Sequence, residues 1–83
     1  MELILEIETP GNGKVYECKA DDTLTVAQLK TLAAGEIRQF ENGGVSLDPG
    51  EIQLFHRRTH RVPGEGLTLP AAGIRGGDRL LLL

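Results

Sequence analysis

The sequence predicts an α+β fold in which one helix packs on one face of a mixed β-sheet. Three observations lead to this prediction: two alternating apolar–polar runs separated by a turn, a following segment whose apolar residues recur at helical spacing, and an apolar run in the last residues of the sequence. Alternation with a period of two indicates half-buried strands, whereas apolar residues three and four positions apart indicate a helix. With 83 residues, we expect a single domain spanning 1–83.

The first two elements are predicted to form an antiparallel hairpin. In the first strand one face is apolar and carries Leu3, Leu5 and Ile7, whereas the glutamates lie on the other face. The segment Pro10-Gly11-Asn12-Gly13 follows, and its Asn-Gly pair is a strong hairpin signal. In the second strand one face is apolar and is expected to be buried; it carries Tyr16, Cys18 and Ala20.

A helix is predicted to begin after Thr25. Thr25 and Gln28 form a capping box, in which each side chain bonds to the backbone N–H of the other residue. Apolar residues recur at helical spacing and are expected to face the core: Val26, Leu29, Ala33, Ile37 and Phe40. Gly35 disfavours helix by about 1 kcal/mol relative to Ala, so the helix ends or loosens there, or continues to the firm stop at Asn42-Gly43-Gly44.

Shorter segments complete the predicted sheet. A loop from Val45 to Gly50 precedes a strand from Ile52 to Arg57, and a short strand is expected near Val62. A connector with buried Leu69 and Ile74 leads to the last strand, Asp78 to Leu83, whose inward residues are Leu80 and Leu82. Because the helix supplies the long crossover that a parallel pair needs, the first and last strands can lie side by side. This order is the β-grasp arrangement, with four to five strands.

The chain resembles the ubiquitin superfamily over nearly its whole length. The resemblance is carried by the opening hairpin, Thr25 to Lys30, Ile52 to Phe55 and Leu67 to Leu82. Within that superfamily it most resembles the small bacterial YukD/EsaB-like proteins associated with type VII secretion, in which a segment like Gly73-Ile74-x-x-Gly77-Asp78-Arg79-Leu80 leads into a terminal strand with no tail. The resemblance implies a cytoplasmic accessory factor that binds a protein component of the secretion system.

The pair Gly76-Gly77 suggests a comparison with ubiquitin-like modifiers, which need a free Gly-Gly tail. Cleavage after Gly77 would remove Leu80 and Leu82 from the core at a cost of roughly 4–10 kcal/mol, which is comparable to the stability of a small domain. We therefore interpret the pair as a turn and expect a chain that is not conjugated. Two alternatives remain: a modifier or sulfur carrier activated by an adenylating enzyme, and a domain excised from a larger secretion membrane protein.

Composition and motifs favour binding over catalysis. The net charge of −3 argues against nucleic acid as a partner, and no apolar run approaches the roughly 20 residues that span a bilayer. Cys18 is expected to be a buried thiol, and His56 with His60 makes a poor metal site. No catalytic or phosphate-binding motif stands out, so we expect no enzyme activity, no cofactor and no metal.

A protein-binding site is predicted on the sheet face opposite the helix. Four apolar residues are expected to point outward there on three neighbouring strands: Ile4, Phe55, Leu81 and Leu83. A contiguous exposed apolar patch usually marks an interface, so we expect these residues to bind a protein partner, with Glu6 and Arg57 at the border. The sequence does not identify the partner or the oligomeric state.

A basic cluster follows the third predicted strand. Its arginines are Arg57, Arg58 and Arg61, with His56 and His60 among them. The cluster is interpreted either as a solvated hairpin or as a basic rim that contacts an acidic partner.

Overall fold

The computed structural model describes residues 1–11, 13–41 and 50–83. Four strands and one helix lie within these ranges: β1 Glu2–Thr9, β2 Lys14–Asp21, α1 Val26–Phe40, β3 Leu54–His56 and β4 Arg79–Leu82. The sheet order is β2-β1-β4-β3, and only the central pair β1–β4 is parallel. The prediction of one helix on a mixed sheet with the first and last strands side by side is confirmed.

The opening hairpin has the register that its apolar pattern predicts. Leu5 lies opposite Cys18, and Ile7 lies opposite Tyr16. Leu5, Ile7 and Cys18 are buried beneath α1. Because a slip of one residue would turn every side chain to the other face, the burial of this set fixes the register of β1 on β2.

Helix α1 begins at the predicted capping box. Thr25 Oγ1 accepts a hydrogen bond from the backbone N–H of Gln28 at 3.2 Å, and Gln28 Oε1 accepts one from the N–H of Thr25 at 2.9 Å. The helix does not end or loosen at Gly35 but runs to Phe40, with Glu41 as its C-cap. Gly35 is exposed, while Ala33, Ala34 and Ile37 around it are buried, so packing on both sides offsets its poor helix propensity. The predicted stop at Asn42-Gly43-Gly44 and the loop from Val45 to Pro49 lie outside the described residues.

Two helical residues differ from their predicted surroundings. Phe40 was expected in the core but is exposed, because the last turn of α1 lies over the edge strand β2, where its ring packs against Tyr16 at 5.9 Å between centroids. Lys30, outside the predicted apolar stripe, is buried, because its ammonium forms an ion pair with Glu65.

The connector after β3 is tied to the start of α1. The N–H groups of Val26 and Ala27 donate to the carbonyls of Leu67 at 2.8 Å and Glu65 at 3.0 Å, which satisfies donors that a helix N-terminus leaves free. Leu69 and Ile74 are buried, as predicted. The third strand is shorter than predicted, and an isolated bridge between His56 and Arg61 stands where a short strand near Val62 was expected. None of the described helices is long and apolar enough to cross a membrane.

Candidate protein-binding face

Three of the four predicted apolar residues lie together on the outer face of the sheet. Phe55 and Leu81 are directly opposite each other in the antiparallel β3–β4 pair. Leu83, two residues further along the chain, is exposed, and its backbone exchanges hydrogen bonds with Gln53 at 2.9 and 3.1 Å. We refer to Phe55, Leu81 and Leu83 as the β3–β4 patch. It presents apolar side chains on a frame that backbone hydrogen bonds hold in place.

Ile4 does not belong to this patch, so the prediction of one continuous four-residue patch is wrong. Glu6, the next outward residue on β1, lies opposite Arg79, and only the residue after that, Glu8, lies opposite Leu81. A charged pair therefore separates Ile4 from Leu81. Ile4 is exposed next to the turn before β4, where its carbonyl accepts from Gly77 N–H at 2.7 Å.

Charged side chains border the β3–β4 patch on the side of Ile4. Arg79 Nη2 lies 2.6 Å from Glu6 Oε2, and Arg79 Nη1 lies 3.4 Å from Glu8 Oε1. Arg57 lies 3.5 Å from the same Glu8 oxygen. Such solvent-exposed pairs contribute only about 0–1 kcal/mol to folding. They form a polar border of the kind that surrounds the apolar centre of protein interfaces.

The three arginines of the predicted basic rim have different partners. Arg57 borders the β3–β4 patch through Glu8. Arg58 donates to Asp78 at 3.2 and 3.3 Å and to the carbonyl of Gly73. Arg61 is exposed and forms no ion pair within the described residues. Of the three, Arg57 is the one that pairs with a residue bordering the β3–β4 patch.

His56 is fully buried, contrary to the expectation of a solvated hairpin. Strand alternation places its side chain on the same face as Leu54, toward the core. Its Nε2 lies 2.8 Å from Asp78 Oδ2, and its Nδ1 lies 3.0 Å from Thr59 Oγ1. Sequence reasoning missed this pair, although the alternation from Leu54 to His56 was a signal for it.

The carboxylate of Asp78, just before β4, has several hydrogen-bond partners. It accepts from Arg58, from the N–H of Arg75 at 2.9 Å, and pairs with His56. Burial alone would raise the pKa of Asp78, but the bonds from Arg58, Arg75 and His56 outweigh it and bring this pKa below the ordinary value of 3.8. The carboxylate of Asp78 therefore links the turn after β3 to the segment that leads into β4.

The glycine pair and the cysteine have the structural surroundings that were predicted for them. Gly77 has a φ of +87° and stands in the turn that leads into β4. Cys18 is buried under α1, and this burial, with a smaller contribution from Glu36, raises the pKa of its thiol to about 12. A thiol with such a pKa is a poor nucleophile at neutral pH. The described residues contain no group of three metal-ligating side chains.

No protein-family model and no curated protein matches the chain. Solved structures do match. An archaeal ubiquitin, from Caldiarchaeum subterraneum, is 20% identical with a TM-score of 0.73, over 99% of this chain and 91% of its own. A protein of Arabidopsis thaliana, solved from evolutionary couplings and sparse NMR data, has the same identity of 20% and TM-score of 0.73, over 99% and 84%.

A third structure, of ATBAG1 in complex with HSP70, is 11% identical with a TM-score of 0.76, over 98% of this chain and 39% of that chain. At identities of 11–20% these structural similarities show the fold alone. The strand order, the crossing helix and the close agreement with an archaeal ubiquitin lead to one conclusion: this chain has the ubiquitin-like β-grasp fold.

Proposed function

We propose that this chain is a non-conjugating ubiquitin-like module that binds a protein partner through the β3–β4 patch. The observation that carries the proposal is the Phe55–Leu81 pair, two large apolar side chains opposite each other on the outer face. Leu83 extends the pair, and Arg57 and Arg79 border it. An apolar centre with a polar border is the usual composition of a protein interface.

The biological setting that we propose is type VII secretion in a bacterium, where the chain acts as a cytoplasmic accessory factor. This part of the proposal rests on the resemblance of the segment from Gly73 to Leu80 to YukD/EsaB-like proteins. The ATBAG1 structure, solved with HSP70, supports the more general idea of protein binding by chains that contain this fold, which in that chain spans 39% of the length. No enzyme activity and no cofactor belong to the proposal.

A modifier or sulfur carrier that uses Gly76-Gly77 is the competing function. The position of this pair weighs against it, because β4 follows directly and its residues Leu80 and Leu82 are buried. Removing both leucines would cost roughly 4–10 kcal/mol. A domain excised from a larger secretion membrane protein would use the same binding face, so substitution of Leu81 would weaken its binding as well.

A quantitative pull-down from a bacterium that has a type VII system tests the proposal. Immobilised wild-type chain, Leu81→Ser and Phe40→Ser are compared in parallel, because Phe40 is an exposed apolar residue on the helix rather than on the outer face. We expect a component of the secretion system to be retained by the wild type and by Phe40→Ser and depleted with Leu81→Ser. Recovery of an adenylating enzyme, or of conjugates or a thiocarboxylate after addition of ATP, would support the competing function instead.

A further inference from the structure

We infer that a second surface, a groove beside the Arg57–Arg61 turn, binds an acidic peptide segment that carries apolar side chains. We refer to it as the loop groove, and its walls are Arg61, Val62, Pro63, Leu67, Ala71 and Ala72. It has a volume of about 420 Å³, within the range of sites that hold small ligands. This inference does not depend on the β3–β4 patch, with which the loop groove shares no residue.

The walls of the loop groove combine apolar side chains with the polar residues Thr59 and Arg61, and they are partly open to solvent. Val62 and Leu67 are 55% and 45% exposed, which makes them two of the more exposed large apolar residues of the described chain. Pro63 between them is buried. A peptide side chain that covers Val62 and Leu67 removes apolar surface from water, at about 25 cal/mol per Å².

The electrostatics of the loop groove select an acidic occupant. The Arg57–Arg61 turn contains three arginines and no acid. Arg57 and Arg58 are paired with Glu8 and Asp78, whereas Arg61 forms no ion pair within the described residues. Glu65, the acid in the same loop, is held by Lys30. Arg61 is therefore the cation at the groove wall that can form an ion pair with a carboxylate of the partner.

The frame of the loop groove is set by backbone hydrogen bonds. His56 N–H donates to Arg61 O at 2.8 Å, and His60 N–H donates to His56 O at 2.8 Å. Leu67 N–H donates to Gly64 O at 3.1 Å on one side, and Ala72 N–H donates to Thr68 O at 2.9 Å on the other. A site held in this way loses less conformational entropy on binding than a flexible loop does.

The test uses three capped ten-residue peptides in which Leu alternates with Asp, Asn or Lys, titrated into ¹⁵N-labelled protein. We expect the Leu–Asp peptide to shift the amide signals of residues 61–67 and 71–72 and to bind more tightly than the Leu–Asn and Leu–Lys peptides. Arg61→Ser should weaken its binding about two- to fivefold, the range for one exposed ion pair. Val62→Ser should weaken it at least as much, since it removes part of the apolar wall.

Lys19→Ser is the matched control, because it removes one exposed cation from β2 and should leave the affinity unchanged. Three results would overturn the inference. They are equal affinity for the three peptides, an Arg61→Ser variant that binds the Leu–Asp peptide as the wild type does, and signal changes confined to the β3–β4 patch. Absence of detectable binding at Leu–Asp peptide concentrations up to about 5 mM would also overturn it.

Discussion

His56 Nε2 lies 2.8 Å from Asp78 Oδ2, and this contact between a buried imidazole and a partly buried carboxylate joins the end of β3 to the residue before β4. The same carboxylate accepts from Arg58 and from the N–H of Arg75. Since the β3–β4 patch rests on these two strands, the pair fixes the frame on which Phe55 and Leu81 are presented. Because His56 is buried, loss of its Asp78 partner would leave a buried polar group without a hydrogen bond.

Asp78→Asn is expected to destabilise the protein by about 1.5–3 kcal/mol at pH 7, the range for hydrogen bonds to a charged group. The pKa of Asp78 is lowered on folding from 3.8, so the wild type holds this stabilisation above about pH 4 and loses it as the pH falls through the folded-state pKa. The difference between wild type and variant should therefore shrink in acid. Urea unfolding from pH 7 to pH 2.5 measures it.

Glu17→Gln is the matched control for this pH series, because Glu17 is an exposed β2 residue with no ion pair among the described residues. Its stability should follow that of the wild type at every pH. A gap between wild type and Asp78→Asn that stays constant from pH 7 to acid would contradict the role assigned to the carboxylate charge.

Gly77→Ala should destabilise the protein by about 1–3 kcal/mol, because a φ of +87° is strained for any residue with a Cβ. Gly76→Ala is the neighbouring control. Its Cβ would lie 3.9 Å from Leu3 Cδ2, an ordinary contact, so the change should stay within about 0.5 kcal/mol. Equal effects of the two substitutions in chemical denaturation would contradict a specific requirement for glycine at position 77.

Cys18 should react slowly with thiol reagents in the native state and rapidly in denaturant. Burial raises the pKa of the thiol to about 12, so very little thiolate is present at pH 8, and α1 covers the side chain. Labelling followed by mass spectrometry gives both rates. Fast labelling of the native protein would mean that β2 presents its other face to the helix.

The strand order and most of the apolar core were predictable because each long element has a clear period. Leu5, Ile7 and Cys18 alternate in the hairpin, and the Thr25–Gln28 capping box marks the helix start. The position of Ile4 relative to Leu81 was not predictable, because it depends on the stagger of β1 on β4, which strand alternation does not encode.

The partners of the charged residues were also not predictable from the pattern. His56 appeared to belong to a basic, solvated cluster, but Asp78, 22 positions later, makes its burial possible. Lys30 is buried for the same reason, through Glu65. Buried polar and charged groups need hydrogen-bond or ion-pair partners, and a single sequence does not identify partners that lie far along the chain.

The inward and outward positions of β4 should respond oppositely to substitution. Leu80 is fully buried, so Leu80→Ala should cost about 2–5 kcal/mol. Leu81 is half-buried on the outer face opposite Phe55, and Leu81→Ser should cost only about 0.2–1 kcal/mol, the range for a cross-strand side-chain pair. Thermal unfolding of both variants measures this contrast. If Leu81→Ser unfolds the protein while Leu80→Ala is tolerated, the register of β4 is inverted and the β3–β4 patch does not exist.

The most direct test of the central claim is the binding free energy of the recovered partner, measured by calorimetry for the wild type, Phe55→Ser, Leu81→Ser and the double variant. We predict that each single change weakens binding by about 1–3 kcal/mol. The losses should not add in the double variant, because the two side chains lie opposite each other. Folded Phe55→Ser and Leu81→Ser proteins that bind the partner with wild-type affinity would contradict the claim.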